Sequence, residues 1–252
     1  MNKLVIGDRI VKSFGEGEER RVVLDGVSVD IREGEFVAVM GPSGSGKSTL
    51  LHALSGMDRI DGGRVIFGGR ELSSASEKEL AEIRRAQMGF VFQQPTMLKN
   101  LNLLDNIILP AMRDNRRNAK NIVAKARKLM ARAGISGLEQ RDITQVSGGQ
   151  LQRAGICRAL INHPKIVFGD EPTGALNSKS SQEIMHLLAD INAEGTAVML
   201  VTHDAKVAAW AERILFMRDG QIVSELTLSR YDGTGMDDRV EHVARTMIEL
   251  DV

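Results

Sequence analysis

The chain has 252 residues, of which 42% are hydrophobic and 26% are charged, and its 33 basic residues balance 33 acidic ones. This length suits one large α/β domain or two small ones, and it is ample for a buried core. Because the net charge is zero, the composition gives no sign of a nucleic-acid footprint spread over a whole domain, and we expect no nucleic-acid partner.

One cysteine and short apolar runs indicate where the chain works. The single Cys157 excludes an internal disulfide and suits a reducing cytosol. No apolar run approaches the roughly 18 residues of a membrane-spanning helix, and residues 1–8 lack a secretory hydrophobic region. We predict a cytoplasmic chain that does not span the membrane itself, so that any role at a membrane requires a partner chain.

Runs rich in Val and Ile dominate the first 40 residues and predict strands over 4–14, 27–31 and 35–40. The Gly-rich stretch 62–69 predicts a short strand between turns, and a charged surface helix follows over 77–85.

An amphipathic helix is predicted over 119–133, after a brief strand over 89–92. Its apolar positions keep helical spacing, while basic side chains line the other side. This basic stripe fits either a solvated surface or a docking face. The stripe consists of Lys120, Lys125, Arg127, Lys128 and Arg132.

The second half of the chain alternates helices with strands. Further helices are predicted over 147–162 and 184–191, and the predicted strands are 165–168, 197–201, 213–217 and 221–226. This alternation predicts a mostly parallel sheet with helices on both faces. Beyond residue 226 the character changes: 229–235 is rich in turn residues, and 237–251 predicts a small helix with an apolar face.

The stretch 40–50 lies between a predicted strand and a predicted helix and matches the phosphate-binding pattern G-x-x-x-x-G-K-S, which is called a P-loop. Glycines allow backbone N–H groups to wrap a phosphate chain, Lys47 can reach the β/γ oxygens, and the Ser48 hydroxyl can ligate Mg²⁺. The alternative is a Gly/Ser-rich turn with a chance lysine. The predicted nucleotide-binding residues are Gly41, Pro42, Ser43, Gly44, Ser45, Gly46, Lys47, Ser48 and Thr49.

An acidic pair follows the apolar strand 165–168. A metal-nucleotide enzyme needs a carboxylate on the Mg²⁺ side and a group that orients the attacking water. Asp170 suits the first role, and Glu171 suits the second as general base. The alternative is an acidic pair that merely caps a strand.

Three candidate site features follow predicted strands of the parallel sheet: the P-loop, Asp170 and His203. In parallel sheets ligands lie at the carboxyl ends of the strands, so these features are expected at one edge of the sheet.

Taken together, these motifs resemble the ATP-binding-cassette (ABC) ATPases. The segment 146–150 matches the signature sequence of that family, with Val146 in place of the usual Leu. The resemblance implies that the signature residues Ser147, Gly148, Gly149 and Gln150 also contact nucleotide.

Three further residues take roles that the resemblance implies. Gln93 matches the Q-loop glutamine, a Mg²⁺ and water contact, and His203 matches the switch histidine that contacts the γ-phosphate as part of the catalytic set with Lys47 and Glu171. By itself His203 would be taken for a structural histidine. Phe14 falls where the family stacks an aromatic ring on adenine, with core packing as the alternative.

The resemblance covers about residues 3–226 and implies an α/β fold of the RecA-like P-loop NTPase type. Its mostly parallel sheet is accompanied by an N-terminal antiparallel β-subdomain and an inserted α-helical signature subdomain at about 94–160. The implied division is a nucleotide-binding domain over 1–228 and a C-terminal extension with a short helix over 229–252.

The resemblance also implies cofactors and partners. ATP and Mg²⁺ would be bound between the P-loop of one copy and the signature of a second copy, paired head to tail. The best match is to cassettes that serve permeases of the macrolide-exporter and lipoprotein-release superfamily, and within it to the bacitracin and antimicrobial-peptide resistance branch. An integral membrane permease is therefore the expected second partner, with the chain peripheral on the inner face of the cell membrane.

Two positions depart from the family pattern. Asn177 stands in the D-loop where Asp is usual, which puts coupling between the two sites in doubt, and Gly169 replaces a bulkier residue before Asp170. The apolar segment 96–110 is the predicted cradle for the permease, and its alternative is ordinary core of the helical subdomain.

Three other functions remain as alternatives. One is a lipoprotein-release or cell-division ATPase of the same superfamily. Another is a soluble DNA-repair or chromosome ATPase, which is disfavoured because no sustained heptads lie between Thr49 and Ser147. The third is a catalytically dead cassette, which is disfavoured because Lys47, Asp170, Glu171 and His203 are all present.

Overall fold

The structure, a computed structural model, describes residues 2–113 and 115–252, apart from the side chains of Glu18 and Arg116. Met1, the first residue of the predicted nucleotide-binding domain, lies outside the described residues. The strands are β1 (Lys3–Phe14), β2 (Arg21–Arg32), β3 (Phe36–Met40), β4 (Gly62–Phe67), β5 (Arg70–Glu71), β6 (Met88–Phe92), β7 (Ile166–Asp170), β8 (Ala197–Val201), β9 (Arg213–Arg218) and β10 (Gln221–Thr227).

The α-helices alternate with these strands from β3 onward. They are α1 (Lys47–Leu54), α2 (Glu77–Gln87), α3 (Leu103–Met112), α4 (Ala119–Arg132), α5 (Gly148–Leu160), α6 (Ser178–Ala193), α7 (Ala205–Ala208) and α8 (Met236–Leu250). Every strand predicted from the sequence is present, and β2 extends the predicted strand 27–31 at its N-terminal side. Helix α3 and the one-turn helix α7 were not predicted.

Two sheets form the scaffold, as the α/β fold class predicts. The larger has the order β10-β9-β3-β8-β7-β6, in which every neighbouring pair is parallel except β9 with β10. The smaller, β2-β1-β4-β5, is antiparallel throughout. The predicted combination of a mostly parallel sheet with an N-terminal antiparallel sheet is therefore confirmed.

The six-stranded sheet is buried on both faces. Successive residues of β3 point to opposite sides, so Ala38 and Met40 pack with the helical layer while Val37 and Val39 pack with α1 and the smaller sheet. All four side chains are fully buried, which explains why the central strands are continuous apolar runs.

Helices α3, α4 and α5 pack against one another on the side of the sheet away from α1. About half of the predicted apolar segment 96–110 belongs to α3, whose Leu103, Ile107 and Ala111 recur at helical spacing and are buried. The core alternative holds for the buried side chains Leu103, Leu104, Ile107 and Ile108. Leu98 and Leu109 are exposed, and the permease cradle stays a prediction for them.

The carboxyl ends of three parallel strands meet at one edge of the large sheet. β3 ends at Met40 and leads into the P-loop, β7 ends at Asp170, and β8 ends at Val201 just before His203. Asp170 and Val201 are register partners, so the loops that follow them start side by side. This edge is where the sequence predicts the site.

Candidate functional site

The P-loop connects β3 to α1 by a backbone path that needs glycine. Gly46 has φ of +99°, in the left-handed region, and a Cβ there would lie 2.8 Å from the carbonyl oxygen of Val23. A Cβ on Gly41 would lie 2.2 Å from the carbonyl oxygen of Met217. The loop therefore packs against β2 and β9 through backbone contacts that a side chain would prevent.

Lys47 lies at the start of α1 with its side chain folded over the loop. Its Nζ donates hydrogen bonds of 2.8 Å to the carbonyl oxygens of Gly41 and Pro42. Burial lowers the pKa of Lys47, while the negative charges of Glu171 and Asp170 act in the opposite direction. The cation is thus held within the loop at the N-terminal end of a helix, where an anion is favoured.

A cavity of about 790 Å³ adjoins this loop and collects most of the predicted nucleotide residues. Ser45 does not line it and is buried beneath the loop. The lining consists of Phe14, Val23, Gly41, Pro42, Ser43, Gly44, Gly46, Lys47, Ser48, Thr49, Glu171 and His203.

Asp170 and Ser48 form the predicted metal side of the site. Ser48 Oγ donates to Asp170 Oδ1 at 2.9 Å, across 122 residues of sequence. Both residues line a second cavity of about 390 Å³ together with Gln93 and Glu171. One hydroxyl, one carboxylate and an amide fit a Mg²⁺ ion that takes its other ligands from phosphate and water. Within the described part of the chain no cluster of three or more His, Cys, Asp or Glu residues could hold a metal without such help.

Glu171 follows Asp170 but faces elsewhere. Its φ of +47° is in the left-handed region, which is strained for a residue with a side chain. The turn directs its Oε1 to Nδ1 of His203 at 2.9 Å, while Asp170 remains on Ser48. His203 is exposed and has this charged partner, so it is not a buried structural histidine.

Phe14 lies at the end of β1 on the rim of the larger cavity. Its side chain is 46% exposed, and the Lys12 ammonium lies 5.0 Å from its ring centre. The alternative of core packing is therefore wrong. An exposed ring at the mouth of the cavity is suited to stacking.

The signature residues begin helix α5. Ser147 Oγ accepts from the N–H of Gln150, and Gln150 Oε1 accepts from the N–H of Ser147, which together form a capping box. Gly149 allows close approach to α6, since a Cβ there would lie 2.9 Å from Ser180 Oγ. Among the described residues that line the P-loop cavity, none belongs to 147–150.

The two departures from the family pattern have local explanations. Asn177 caps α6, with its Oδ1 accepting from the N–H of Ser180 at 2.9 Å. A Cβ on Gly169 would lie 2.4 Å from Leu200 Cδ2, so Leu200 of the neighbouring strand occupies the space of a larger side chain.

Gln152 is a residue at the site that the sequence analysis missed. It is buried in α5, and its Nε2 donates to the carbonyl oxygens of Phe92 at 2.8 Å and Pro172 at 2.7 Å. These carbonyls adjoin Gln93 and Glu171, so one side chain ties together the two loops that carry them. The sequence carries one signal for this residue: Gln152 is a polar residue at helical spacing from Gly149 and Ile156, and all three lie on the buried face of α5.

A groove of about 670 Å³ lies between α3, β6, the last turn of α2 and the C-terminal end of α5. Leu109 is 46% exposed and contributes to it, whereas Leu98 is 48% exposed and does not. Much of the lining is apolar or basic, including Phe90, Phe92, Pro110, Arg84 and Arg158.

The basic stripe of α4 is partly engaged within the chain. Lys125 donates to the carbonyl oxygen of Ile161, and burial lowers its pKa. Arg132 forms a 2.7 Å ion pair with Glu194. The exposed Lys120, Arg127 and Lys128 fit the solvated-surface alternative.

The comparison with protein families gives a match to one family model, described as ABC transporter, over residues 24–174. This range is more than half of the chain, and it includes the P-loop, the signature and the acidic pair. The chain belongs to the ABC transporter family. The predicted family is therefore confirmed, as is the prediction that the chain is an ATPase that binds ATP.

Similar proteins include ABC exporters and a single cassette. The chain is 42% identical over 216 residues to the macrolide export ATP-binding/permease protein MacB of Pasteurella multocida, which covers 86% of this ABC chain and 33% of MacB. It is 42% identical over 220 residues to an uncharacterised ABC transporter ATP-binding protein of Methanocaldococcus jannaschii, which covers 87% of this chain and 98% of that one. The chain spans about a third of the length of the MacB relative.

Solved ABC cassettes have the same fold. One is a dimeric bacterial ABC transporter cassette with 38% identity and a TM-score of 0.84, which covers 90% of this chain and all of that one. Another is a dimeric cassette in a post-hydrolysis state with ADP and Pi, with 37% identity, a TM-score of 0.82 and the same coverage. Within the described residues of this ABC chain, no helix is long and apolar enough to cross a bilayer.

Proposed function

We propose that the chain is the ATP-hydrolysing subunit of a transporter in which two copies pair head to tail over two Mg²⁺–ATP complexes and drive a membrane permease. The observation that carries the hydrolytic role is the Glu171–His203 pair at 2.9 Å on the wall of the P-loop cavity. A general base oriented by a second side chain, beside a phosphate-binding loop, is the arrangement that ATP hydrolysis requires.

Each residue has a distinct part in this mechanism. The chemistry that bound Mg²⁺–ATP would supply is attack of water on the γ-phosphorus, with the bond to the bridging oxygen broken and ADP as the leaving group. The Lys47 ammonium and the loop N–H groups hold phosphate oxygens, and Ser48 with Asp170 and Gln93 would hold the metal.

Glu171 orients the attacking water and takes its proton. An ionised carboxylate only accepts hydrogen bonds, so Nδ1 of His203 donates to Glu171. In the imidazolium form both ring nitrogens donate, so Nε2 can then donate to an oxygen of the γ-phosphate. Phe14 stacks on adenine.

The head-to-tail dimer follows from the position of the signature. Ser147 begins a helix of 13 residues, whose N–H groups and hydroxyl suit a phosphate, yet 147–150 do not line this chain's own P-loop cavity. A second copy supplies those groups. Two related cassettes are dimeric, which supports this arrangement. Loss of the γ-phosphate contact then loosens the pair and converts nucleotide state into mechanical work.

The permease binds at the groove beside α3. Leu109, Pro110 and Phe92 provide apolar surface there, and Arg84 and Arg158 provide charge. The MacB relatives carry a permease in the same chain, which supports a permease partner for this one. The cassette is then peripheral on the cytoplasmic face of the membrane.

Antimicrobial-peptide resistance of the bacitracin type is the process we propose. The MacB relatives are named for macrolide export, and another relative, from Pseudomonas syringae pv. syringae, is named a probable syringafactin export protein, 43% identical over 86% of this chain and 33% of its own. These names support an export function over lipoprotein release. A neighbouring gene for a permease with a large extracellular domain, next to a sensor kinase pair, would favour the resistance branch.

The test of the hydrolytic role is Glu171→Gln, which keeps the shape of the side chain but removes the base. We expect the rate of ATP hydrolysis to fall by about 10²–10⁴-fold. ATP affinity, measured by equilibrium binding, should be retained because Lys47 and the loop are unchanged. The control is Glu194→Gln, an exposed residue that pairs with Arg132 and lines neither the P-loop cavity nor the cavity on the metal side. An unchanged hydrolysis rate would remove Glu171 from the mechanism.

A further inference from the structure

Helix α7 begins directly after the predicted switch histidine and has only four residues, Ala205–Ala208. Asp204 caps its start, with Oδ1 accepting from the N–H of Lys206 at 2.8 Å. A single turn of helix is unstable in isolation, because the conformational entropy lost in forming the first turn outweighs the free energy gained from its hydrogen bonds. The placement of α7, and of His203 before it, therefore depends on contacts with the rest of the chain.

Arg239 of α8 holds the other end of α7. Its Nε donates to the carbonyl oxygen of Ala209 at 2.7 Å and its Nη2 to that of Ala211 at 2.7 Å. Nη1 donates to the carbonyl oxygen of Ser229, also at 2.7 Å. Carbonyls at the end of a helix lack partners within it and favour a cation, so a buried guanidinium fork suits this position.

Aromatic rings enclose the same segment. Trp210 lies edge-on between His186 of α6 and Tyr231, with ring centres 4.8 Å apart in both contacts. The Arg239 guanidinium lies 5.5 Å from the centre of the Tyr231 ring. Two residues that follow β10 therefore contact the segment 209–211: Tyr231, in the loop before α8, and Arg239, on α8.

The first turns of α8 also reach the catalytic region. A cavity of about 480 Å³ is lined by Met236, Asp237 and Val240 of α8. Glu171 and His203 line the same cavity, and both also line the P-loop cavity. The C-terminal helix therefore forms one wall of the space behind the hydrolytic pair.

We propose that Arg239 is a positioning residue for ATP hydrolysis, which fixes α7 and so holds the imidazole of His203 against Glu171. This gives residues 229–252 a function in turnover, and it rests on the proposed roles of Glu171 and His203. Arg239 lines neither the P-loop cavity nor the cavity on the metal side, so ATP affinity is independent of it. Turnover depends on it, because displacement of a catalytic group by about an ångström costs up to 10²-fold in rate.

The first experiment compares Arg239→Ala and Arg239→Lys with the control Arg245→Ala, on the full-length chain. Arg245 is on the same helix, but it is exposed and pairs only with Glu241 at 2.7 Å among the contacts described for it. We expect Arg239→Ala to lower kcat by roughly 10- to 100-fold, with the Kd for ATP within about twofold of the parent. Arg239→Lys, which keeps the charge but not the fork, should give an intermediate kcat, and Arg245→Ala should match the parent.

The second experiment separates positioning from loss of structure. In the His203→Ala background, Arg239→Ala should lower kcat no further, because two residues that act through one step are not additive. If the two losses multiply, or if kcat falls only in proportion to the folded fraction measured by thermal unfolding, Arg239 does not act through His203. Should Arg239→Ala fail to fold, Arg239→Lys completes the same cycle.

The controls distinguish this inference from the proposed function. If His203→Ala alone leaves hydrolysis unchanged, the role of His203 itself is wrong. If His203→Ala slows hydrolysis while both Arg239 variants retain the parent kcat, only the positioning role of Arg239 is overturned.

Discussion

Asn177, which stands where the family usually has Asp, is the residue that caps helix α6. Its Oδ1 accepts from the N–H of Ser180, and its neighbouring loop contains Gly174, where a Cβ would lie 2.9 Å from Gln93 Nε2 and 3.3 Å from Glu171 Oε2. Asn and Asp are equally good helix caps, so the missing charge does not change the structure of this loop. Any effect on coupling between two sites would have to come from contacts with a second copy.

Asn177→Ala should therefore lower the free energy of unfolding by about 1 kcal/mol, because the first turn of α6 loses its cap. Asn177→Asp should be neutral or stabilising by up to about 1 kcal/mol, because a negative charge is favoured at a helix start. Urea denaturation monitored by circular dichroism measures both. An Asp variant as unstable as the Ala variant would show that the cap is not what Asn177 contributes.

The proposed catalytic residues show what can and cannot be predicted from the sequence. Lys47, Ser48, Asp170 and His203 are proposed from the sequence because short motifs with fixed spacing precede or follow predicted strands. The pairing of Glu171 with His203 was not identifiable, since it depends on a left-handed backbone at Glu171 and on the register of β7 with β8. Gln152 was missed because its two acceptors are backbone carbonyls at Phe92 and Pro172, which carry no sequence signal.

At the scale of elements, α3 and α7 were not predicted, for different physical reasons. A proline within a helix, here Pro110 in the last turn of α3, weakens the helical signal of a sequence. In the structure Asn102 caps the start of α3 by accepting from the N–H of Asp105 at 2.8 Å. Helix α7 is too short for a periodic signal, and its partner Arg239 is about thirty residues further along the chain. Long periodic helices such as α4 were predicted almost to their ends because packing of one face governs them.

Leu109 of α3 and Leu98 of the loop before α3 offer a matched pair of variants that test the proposed permease groove. Leu109 and Leu98 are equally exposed, yet only Leu109 lines the groove. We expect Leu109→Asp to abolish co-purification with the permease and stimulation by it, because the contact would lose an apolar side chain and would have to desolvate a carboxylate. Leu98→Asp should do neither.

Basal ATP hydrolysis should be unaffected by either change, since neither leucine lines the P-loop cavity. If Leu109→Asp still co-purifies with the permease as the parent does, the groove is not the docking site.

At the scale of the whole molecule, the two faces of the six-stranded sheet pack against different parts of the chain. One face packs on α1 and the smaller sheet, which hold the P-loop and Phe14, and the other packs on the helical layer that carries the signature. The P-loop and Ser147 are thus on opposite layers of one chain. This separation is why a second copy, rather than a movement within the chain, completes the site in our proposal.

The central claim is that ATP is shared between the P-loop of one copy and Ser147 of another, and sedimentation velocity tests it most directly. We predict that the Glu171→Gln chain, which retains ATP, sediments as a dimer with Mg²⁺–ATP and as a monomer without it. Adding Ser147→Arg, which fills the phosphate-facing end of α5, should leave a monomer that still binds ATP. A double variant that dimerises as well as Glu171→Gln alone, or a Glu171→Gln chain that stays monomeric when saturated with ATP, would contradict the account.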